Sequence, residues 1–415
     1  MYTGSVFLCP LVCESLAPVA VSLAMSSPSV SSTGLLVIVL AQFAGTSLWF
    51  AGNAILPDLM PLLNAPGLNG WITSAVQIGF VSGTLLYALL ALPDRFPSPW
   101  VFLVSVVLAA IANVGWLLFP LRADSLLASR FLTGFFLAGV YPVGMKIAAD
   151  WFKPVLGRAM GFLVGALVLG TAFPHLLRGL GTSLPYRTLM FGVSGLAVSG
   201  GILLVLVIPA KPVLGQQSSL RLSTLTELFR PSAFRPAMLG YFGHMWELYT
   251  FWAFLPVIVA AYNVQHPEAA ASPSLLSFIT ISAGMLGCVA GGYRALQIGS
   301  SRVAQLLLLT SGICIIFLPG FLLTSLPVFI GFLLLWGAAV AGDSPQFSTL
   351  VAANAPVEKR GSILTLVTSL GFLLTVISIQ LMAWLVQQFG FSALLFYVLL
   401  PGPLLGVWAI KADES

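Results

Sequence analysis

The chain is a series of long stretches without a charged residue, and that recurrence constrains its fold more than any other feature. Residues 34–56, 68–92 and 96–121 carry no Asp, Glu, Lys or Arg, and Pro57-Asp58 and Pro93-Asp94-Arg95 separate them. A helix rises 1.5 Å per residue, so about 20 apolar residues cross a hydrocarbon core of roughly 30 Å. A fourth run at 126–149 holds Arg130 and Lys146, a fifth at 159–177 holds His175, and a sixth covers 188–210. The seventh, 236–263, contains His244 and Glu247, and the eighth covers 272–293. Residues 303–342 are too long for one crossing; Pro319-Gly320 and Pro327 divide them into a ninth span and the start of a tenth ending near 352. Residues 361–410 divide at 387–390 into the last two. The pattern predicts an all-α polytopic membrane protein with twelve transmembrane helices, lying in a lipid bilayer. Only 7% of its residues are charged, against about 25% in an ordinary soluble domain.

The Lys and Arg residues orient these spans, because cytoplasmic loops hold an excess of them. With the N-terminus inside, twelve fall in cytoplasmic segments and three (Arg122, Arg178, Arg187) outside, leaving Arg130 and Lys146 within the membrane. Both termini are therefore expected in the cytoplasm, with the inner membrane of a bacterial cell as the expected location. The same bias accounts for the basic pI of 9.1, so no nucleic-acid partner is implied. The first Lys or Arg is Arg95, so residues 1–33 lack the basic start of a secretory signal. Met25 opens a polar lead into the first span, and initiation near it is expected, a weak signal anchor being the alternative. The four cysteines show no metal-ligand or disulfide spacing. No cofactor and no metal site is expected.

The stretch AGVYP at 138–142 returns as AGDSP at 341–345, an offset of 203 residues. The first and seventh spans match at 199, with Phe43 on Phe242 and Leu56-Pro57 on Leu255-Pro256. Two offsets this close imply a six-span unit used twice: an N-terminal half at 34–210 and a C-terminal half at 236–415, joined by a linker at 211–235 and preceded by a tail at 1–33. The leucines of 220–229 fall at near-helical spacing, which predicts an amphipathic linker along the cytoplasmic surface. Parallel six-span repeats build many secondary transporters, with the solute site between the halves. Pro142 and Pro345 remove a helix hydrogen bond at equivalent places, predicting paired bends.

The chain resembles the major facilitator superfamily from residue 34 onward. Arg130-Phe-Leu-Thr-Gly134 is similar to the family's RxxxG pattern, and Trp151-Phe152 with Gly157-Arg158-Ala159-Met160-Gly161 to its loop between spans four and five. Pro93-Asp94-Arg95 is a worn form of its G-x-L-x-D-R loop. Span five has Gly161, Gly165 and Gly170 but lacks the Gly-Pro pair of the antiporter pattern. The resemblance implies a fold of two six-helix halves working by alternating access, with spans one, four, seven and ten lining a central cavity. Arg130, Lys146, Glu247 and Asp343 lie on those spans.

A charge near the centre of a membrane helix costs about 2.5–3.5 kcal/mol on insertion scales, so each of these needs a reason. Glu247 lies near the middle of span seven, and His244 shares its helix face, which suggests a proton-exchanging or solute-binding pair. A structural tie and a metal site with Asp343 are the alternatives. Asp343 has Gln346 on its own face. Arg130 suits a carboxylate or similar anion, or a tie within the first half. Lys146 reads as an interfacial residue paired with Asp150 four residues on. His175 stays open between roles. Trp49, Asn53, Tyr141, Trp246, Tyr249 and Trp252 are candidate cavity residues, and Trp100 and Trp116 read as interface anchors.

These residues predict a monomeric secondary transporter of a small polar or anionic solute, coupled to protons. A proton-driven multidrug efflux pump is the alternative, and a membrane sensor or polytopic enzyme stands in another class. No HExxH, GxSxG or phosphate-cradling glycine loop is present to support an enzyme.

Overall fold

A computed structural model describes residues 32–63, 67–152, 156–180, 184–210, 228, 230, 232–356 and 359–414. The expected start near Met25 and nearly all of the expected linker helix fall outside them. Among the described residues every regular element is helical, and twelve helices are long and apolar enough to cross a membrane. They are spans 1 to 12: Thr33–Leu63, Leu68–Arg95, Ser98–Leu118, Ala123–Trp151, Ala159–Leu180, Tyr186–Val207, Arg235–Gln265, Pro273–Ile298, Ser300–Phe321, Leu326–Asn354, Arg360–Phe389 and Ala393–Ile410.

Spans 1, 4 and 10 are broken near their middles. In span 4 one helix ends at Leu137 and the next begins at Tyr141, so Pro142 takes the first turn of a new helix, where its missing N–H costs nothing. Span 10 repeats this with one helix to Gly342 and another from Ser344, Pro345 again at the start. Proline at 345 frees the carbonyl of Ala341, and the thiol of Cys288 on span 8 donates to it at 3.2 Å. The paired bends expected from AGVYP and AGDSP are thus present. Span 1 is broken elsewhere than expected: its helix stops at Thr46, resumes at Ala51, and runs through Pro57 and Pro61 to Leu63. Its partner, span 7, is one helix from Arg235 to Gln265 despite Pro256. Residues 92–95 form a single helical turn after a left-handed Ala91, φ 50°.

Packing repeats as well. Spans 2 and 4 touch at Gly83 and Gly134, where an added methyl would strike the carbonyls of Phe135 and Val76. Spans 8 and 10 touch at Gly287 and Gly337, against the carbonyls of Ala338 and Thr280. The second pair lies 204 and 203 residues after the first. Between the two sets of six, span 5 runs along span 8 and span 2 along span 11.

The faces of the bundle differ. On the face away from residues 211–235, Gln380 donates to Ser74 at 2.9 Å and Gly70 lies against Ala383. On the linker face a crevice is lined by Tyr241, Phe347, Ser348, Val351, Leu364, Val367 and Thr368. Lys146 lies there too, half-buried, 3.2 Å from Asp150 as expected and 3.4 Å from Asp94. Trp100 is exposed, as an anchor would be, but Trp116 is buried, stacked on Tyr186 at 5.9 Å. An aromatic partner from the start of span 6 covers it, which its position at a span end did not reveal.

Candidate functional site

The break in span 1 and the charge on span 4 explain each other. Where the helix stops, the carbonyls of Leu48 and Trp49 lose their amide partners, and an unpaired buried carbonyl is costly. The Arg130 guanidinium donates to both, at 2.9 and 2.5 Å, and to Asn113 Oδ1 on span 3 at 2.7 Å. Arg130 is fully buried. These Nη hydrogen bonds tie spans 1, 3 and 4 together, the structural reading considered for it, while its Nε has no hydrogen-bond partner.

Glu247 holds the matching position in the second half. Offset by 199 residues, it stands where Leu48 stands, while Leu333 takes the place of Arg130 at 203. Its Oε1 accepts from Trp336 Nε1 on span 10 at 2.7 Å and its Oε2 from Ser311 on span 9 at 2.9 Å. An acceptor on the first span of the half again meets a donor from the fourth; the third span adds a second donor, Ser311, where Asn113 of the first half is an acceptor. A side-chain carboxylate replaces the main-chain carbonyls, so span 7 needs no break.

His244 therefore does not pair with Glu247. Residues three apart on a helix diverge by about 60°, enough here to send them to different neighbours. His244 Nδ1 instead lies 2.8 Å from Asp343 Oδ1, both side chains buried. The distance is that of an ion pair, and beyond that contact none of the four polar atoms has a hydrogen-bond partner. An aspartate at a helix start ordinarily caps its amides; Asp343 occupies that position and does not cap. Tyr241 and Phe347 flank the imidazole with centroids 5.9 and 6.0 Å away, and both line the crevice on the linker face. Gln346 is buried one turn from Asp343. Among the described residues no cluster of three potential metal ligands occurs.

The centre between the halves is aromatic. Trp49 packs on Phe80, Tyr249 and Phe372 at 4.8, 6.0 and 5.5 Å, and Tyr249 on Trp252 at 5.2 Å. Phe50 joins Trp252 to His175 at 6.2 and 6.4 Å. Sequence reasoning missed Phe50, Phe80 and Phe372, because nothing in an apolar run marks which phenylalanines face inward. Asn53 donates to Thr73 at 2.7 Å. Tyr141 opens the second helix of span 4. Trp246 faces the other way, half-buried against Gly402 and donating to Val398 of span 12, so it is not among the central residues.

A family model described as Major Facilitator Superfamily matches residues 38–293. Compared by sequence with curated proteins, the chain has no match. Among solved structures it is similar to a variant of the nucleoside transporter NupG, with TM-score 0.70, 14% identity and coverage of 92% of this chain and 100% of that one. The human organic anion transporter MFSD10 (TETRAN) is similar with TM-score 0.67, 20% identity and coverage of 91% and 99%.

Proposed function

The chain belongs to the major facilitator superfamily, and from that premise we propose a secondary transporter that carries a small polar solute by alternating access and couples the cycle to protons at His244 and Asp343. The carrying observation is this pair: 2.8 Å apart, buried and without well-formed hydrogen bonds. Two groups that exchange protons with water in turn must not be locked in a finished hydrogen-bond network. Glu247, with both oxygens satisfied, is proposed as a support rather than the carrier. Both Nη atoms of Arg130 are engaged by Asn113, Leu48 and Trp49 and only its Nε is unpaired, so no bidentate fork is left for an anion, which favours an uncharged polar solute.

The alternating motion opens the seams between spans 2 and 11 and spans 5 and 8 on one face while closing the linker face. The Lys and Arg bias puts the linker face in the cytoplasm; reporters fused after Ser218 and after Pro267 are expected to read cytoplasmic and external. Coupling is tested in proteoliposomes with an imposed pH gradient. Wild type accumulates solute with the gradient, while Asp343→Asn exchanges solute across the membrane but does not accumulate it. Gradient-driven accumulation by Asp343→Asn at the wild-type level would remove the pair from the coupling role.

A further inference from the structure

We infer that the aromatic centre between the halves binds a flat, uncharged heterocycle carrying several hydrogen-bond acceptors and a donor, of the nucleobase kind, an inference that rests on the transport reading and names its solute class. Four side chains there are buried and leave polar atoms without a hydrogen bond inside the protein. They are the indole Nε1 of Trp49, the indole Nε1 of Trp252, both ring nitrogens of His175, and Oδ1 of Asn53. Their exposures are 0, 1, 1 and 7%. The ring contacts link them in one group: Trp49 to Tyr249, Tyr249 to Trp252, Trp252 to Phe50 and Phe50 to His175. Asn53 lies one turn beyond Trp49 on the same span.

A buried polar group without a partner is expensive, and native structures keep few of them. Three in one connected aromatic group, with Asn53 one turn from Trp49, drawn from spans 1, 5 and 7, point to a ligand as the partner. The inventory defines that ligand. An indole N–H only donates, an amide oxygen only accepts, and a neutral imidazole does one at each nitrogen. The complement is a molecule with at least two acceptors for the indoles and a donor for Asn53. Tyr249, Phe50 and Phe372 lie among these groups with their rings in mutual contact, so a ligand enters as they part, and a planar frame replaces the ring contacts it displaces.

Charge narrows the class further. Glu247 has both oxygens engaged within its own half, Arg130 spends both Nη atoms on Asn113, Leu48 and Trp49 and keeps one unpaired Nε–H, and Asp343 faces His244 near the linker-face crevice. Neither an anion nor a bulky cation finds a charge-assisted partner among the four orphaned side chains, and an apolar drug would leave all of them unpaired.

Equilibrium binding of radiolabelled uridine, adenosine, benzoate and tetraphenylphosphonium to the purified full chain tests this. A neutral nucleoside is expected to bind more tightly than either ion. Trp252→Phe and His175→Leu are each expected to weaken nucleoside binding about tenfold, the cost of one lost buried hydrogen bond. Trp252→Phe also loses packing on Tyr249 and Phe50 and is expected to lower the melting temperature modestly, so binding is measured well below that temperature, where a folded variant that binds as wild type does would show a packing role alone. The inference is overturned if neither nucleoside binds, if benzoate or tetraphenylphosphonium binds more tightly, or if both variants bind as wild type does. Gradient-driven uptake of an ion without nucleoside binding would overturn it and leave the transport reading intact. Nucleoside binding without flux would support it and count against transport.

Discussion

His244 and Asp343 meet 2.8 Å apart across a helix crossing, one on a continuous span and the other at the start of the second helix of a broken one. The crossing brings together residues 99 apart in the chain, and it puts a titratable pair where one span already bends. If Asp343 changes its hold on His244, the two pieces of span 10 have a hinge about which to respond.

Removing one member of a buried pair leaves the other uncompensated, which commonly costs about 3 kcal/mol or more. Asp343→Ala alone is expected to lower the thermal stability of the detergent-solubilised protein, and the double change with His244→Leu to recover more than half of that loss. Scanning fluorimetry on the two singles and the double checks it; additive losses would mean that the groups do not act as a pair.

Glu247→Gln keeps an acceptor for Trp336 and a group that can meet the Ser311 hydroxyl. It is expected to lower stability by about 1 kcal/mol or less and to keep gradient-driven accumulation within about fivefold of wild type, on a hydrogen-bond loss of that size. Glu247→Ala is expected to destabilise clearly. Loss of gradient response in a Glu247→Gln protein that still binds its solute would return the proton-carrying role to Glu247.

Arg130→Lys retains the charge and loses the geometry. A single ammonium cannot span Asn113 Oδ1 and the carbonyls of Leu48 and Trp49 as the fork does. Transport is expected to fall at least tenfold, as for roughly 1.4 kcal/mol of lost positioning, with a lower melting temperature. A stable and active Arg130→Lys protein would show that the broken part of span 1 holds itself.

The Ser74 and Gln380 contact fastens spans 2 and 11 on the face away from the linker. With cysteines at both positions, a short thiol cross-linker is expected to abolish solute flux, and cleavage of the linker to restore it. Flux through the cross-linked protein would place the moving seam elsewhere.

The spans were legible because a missing charge over 20 residues has one physical reading in a chain this apolar. The bends of spans 4 and 10 were legible through Pro142 and Pro345. The break at 47–50 was not, since no proline marks it; it goes with Arg130, 81 residues beyond Trp49, which donates to the orphaned carbonyls. The candidate site was legible as a list and not as a set of pairs. Spacing put His244 with Glu247, whereas the crossing of spans 7 and 10 put it with Asp343 and gave Glu247 to Trp336 and Ser311. Trp246 followed its helix face to span 12, which a neighbourhood in sequence does not disclose.

The glycines at 83 and 134, and again at 287 and 337, mark where pairs of spans touch backbone to backbone. Between the two copies of the six-span unit the chemistry has drifted: Leu48 answers to Glu247, Arg130 to Leu333, and Tyr141 to Ser344. At these four positions the contact is shared by both copies, because a single methyl there meets a main-chain oxygen that has nowhere to move; Gly79, which meets the carbonyl of Phe131 in the first half, is replaced by Ala283 in the second. An alanine at any of the four would push two spans apart at the weld.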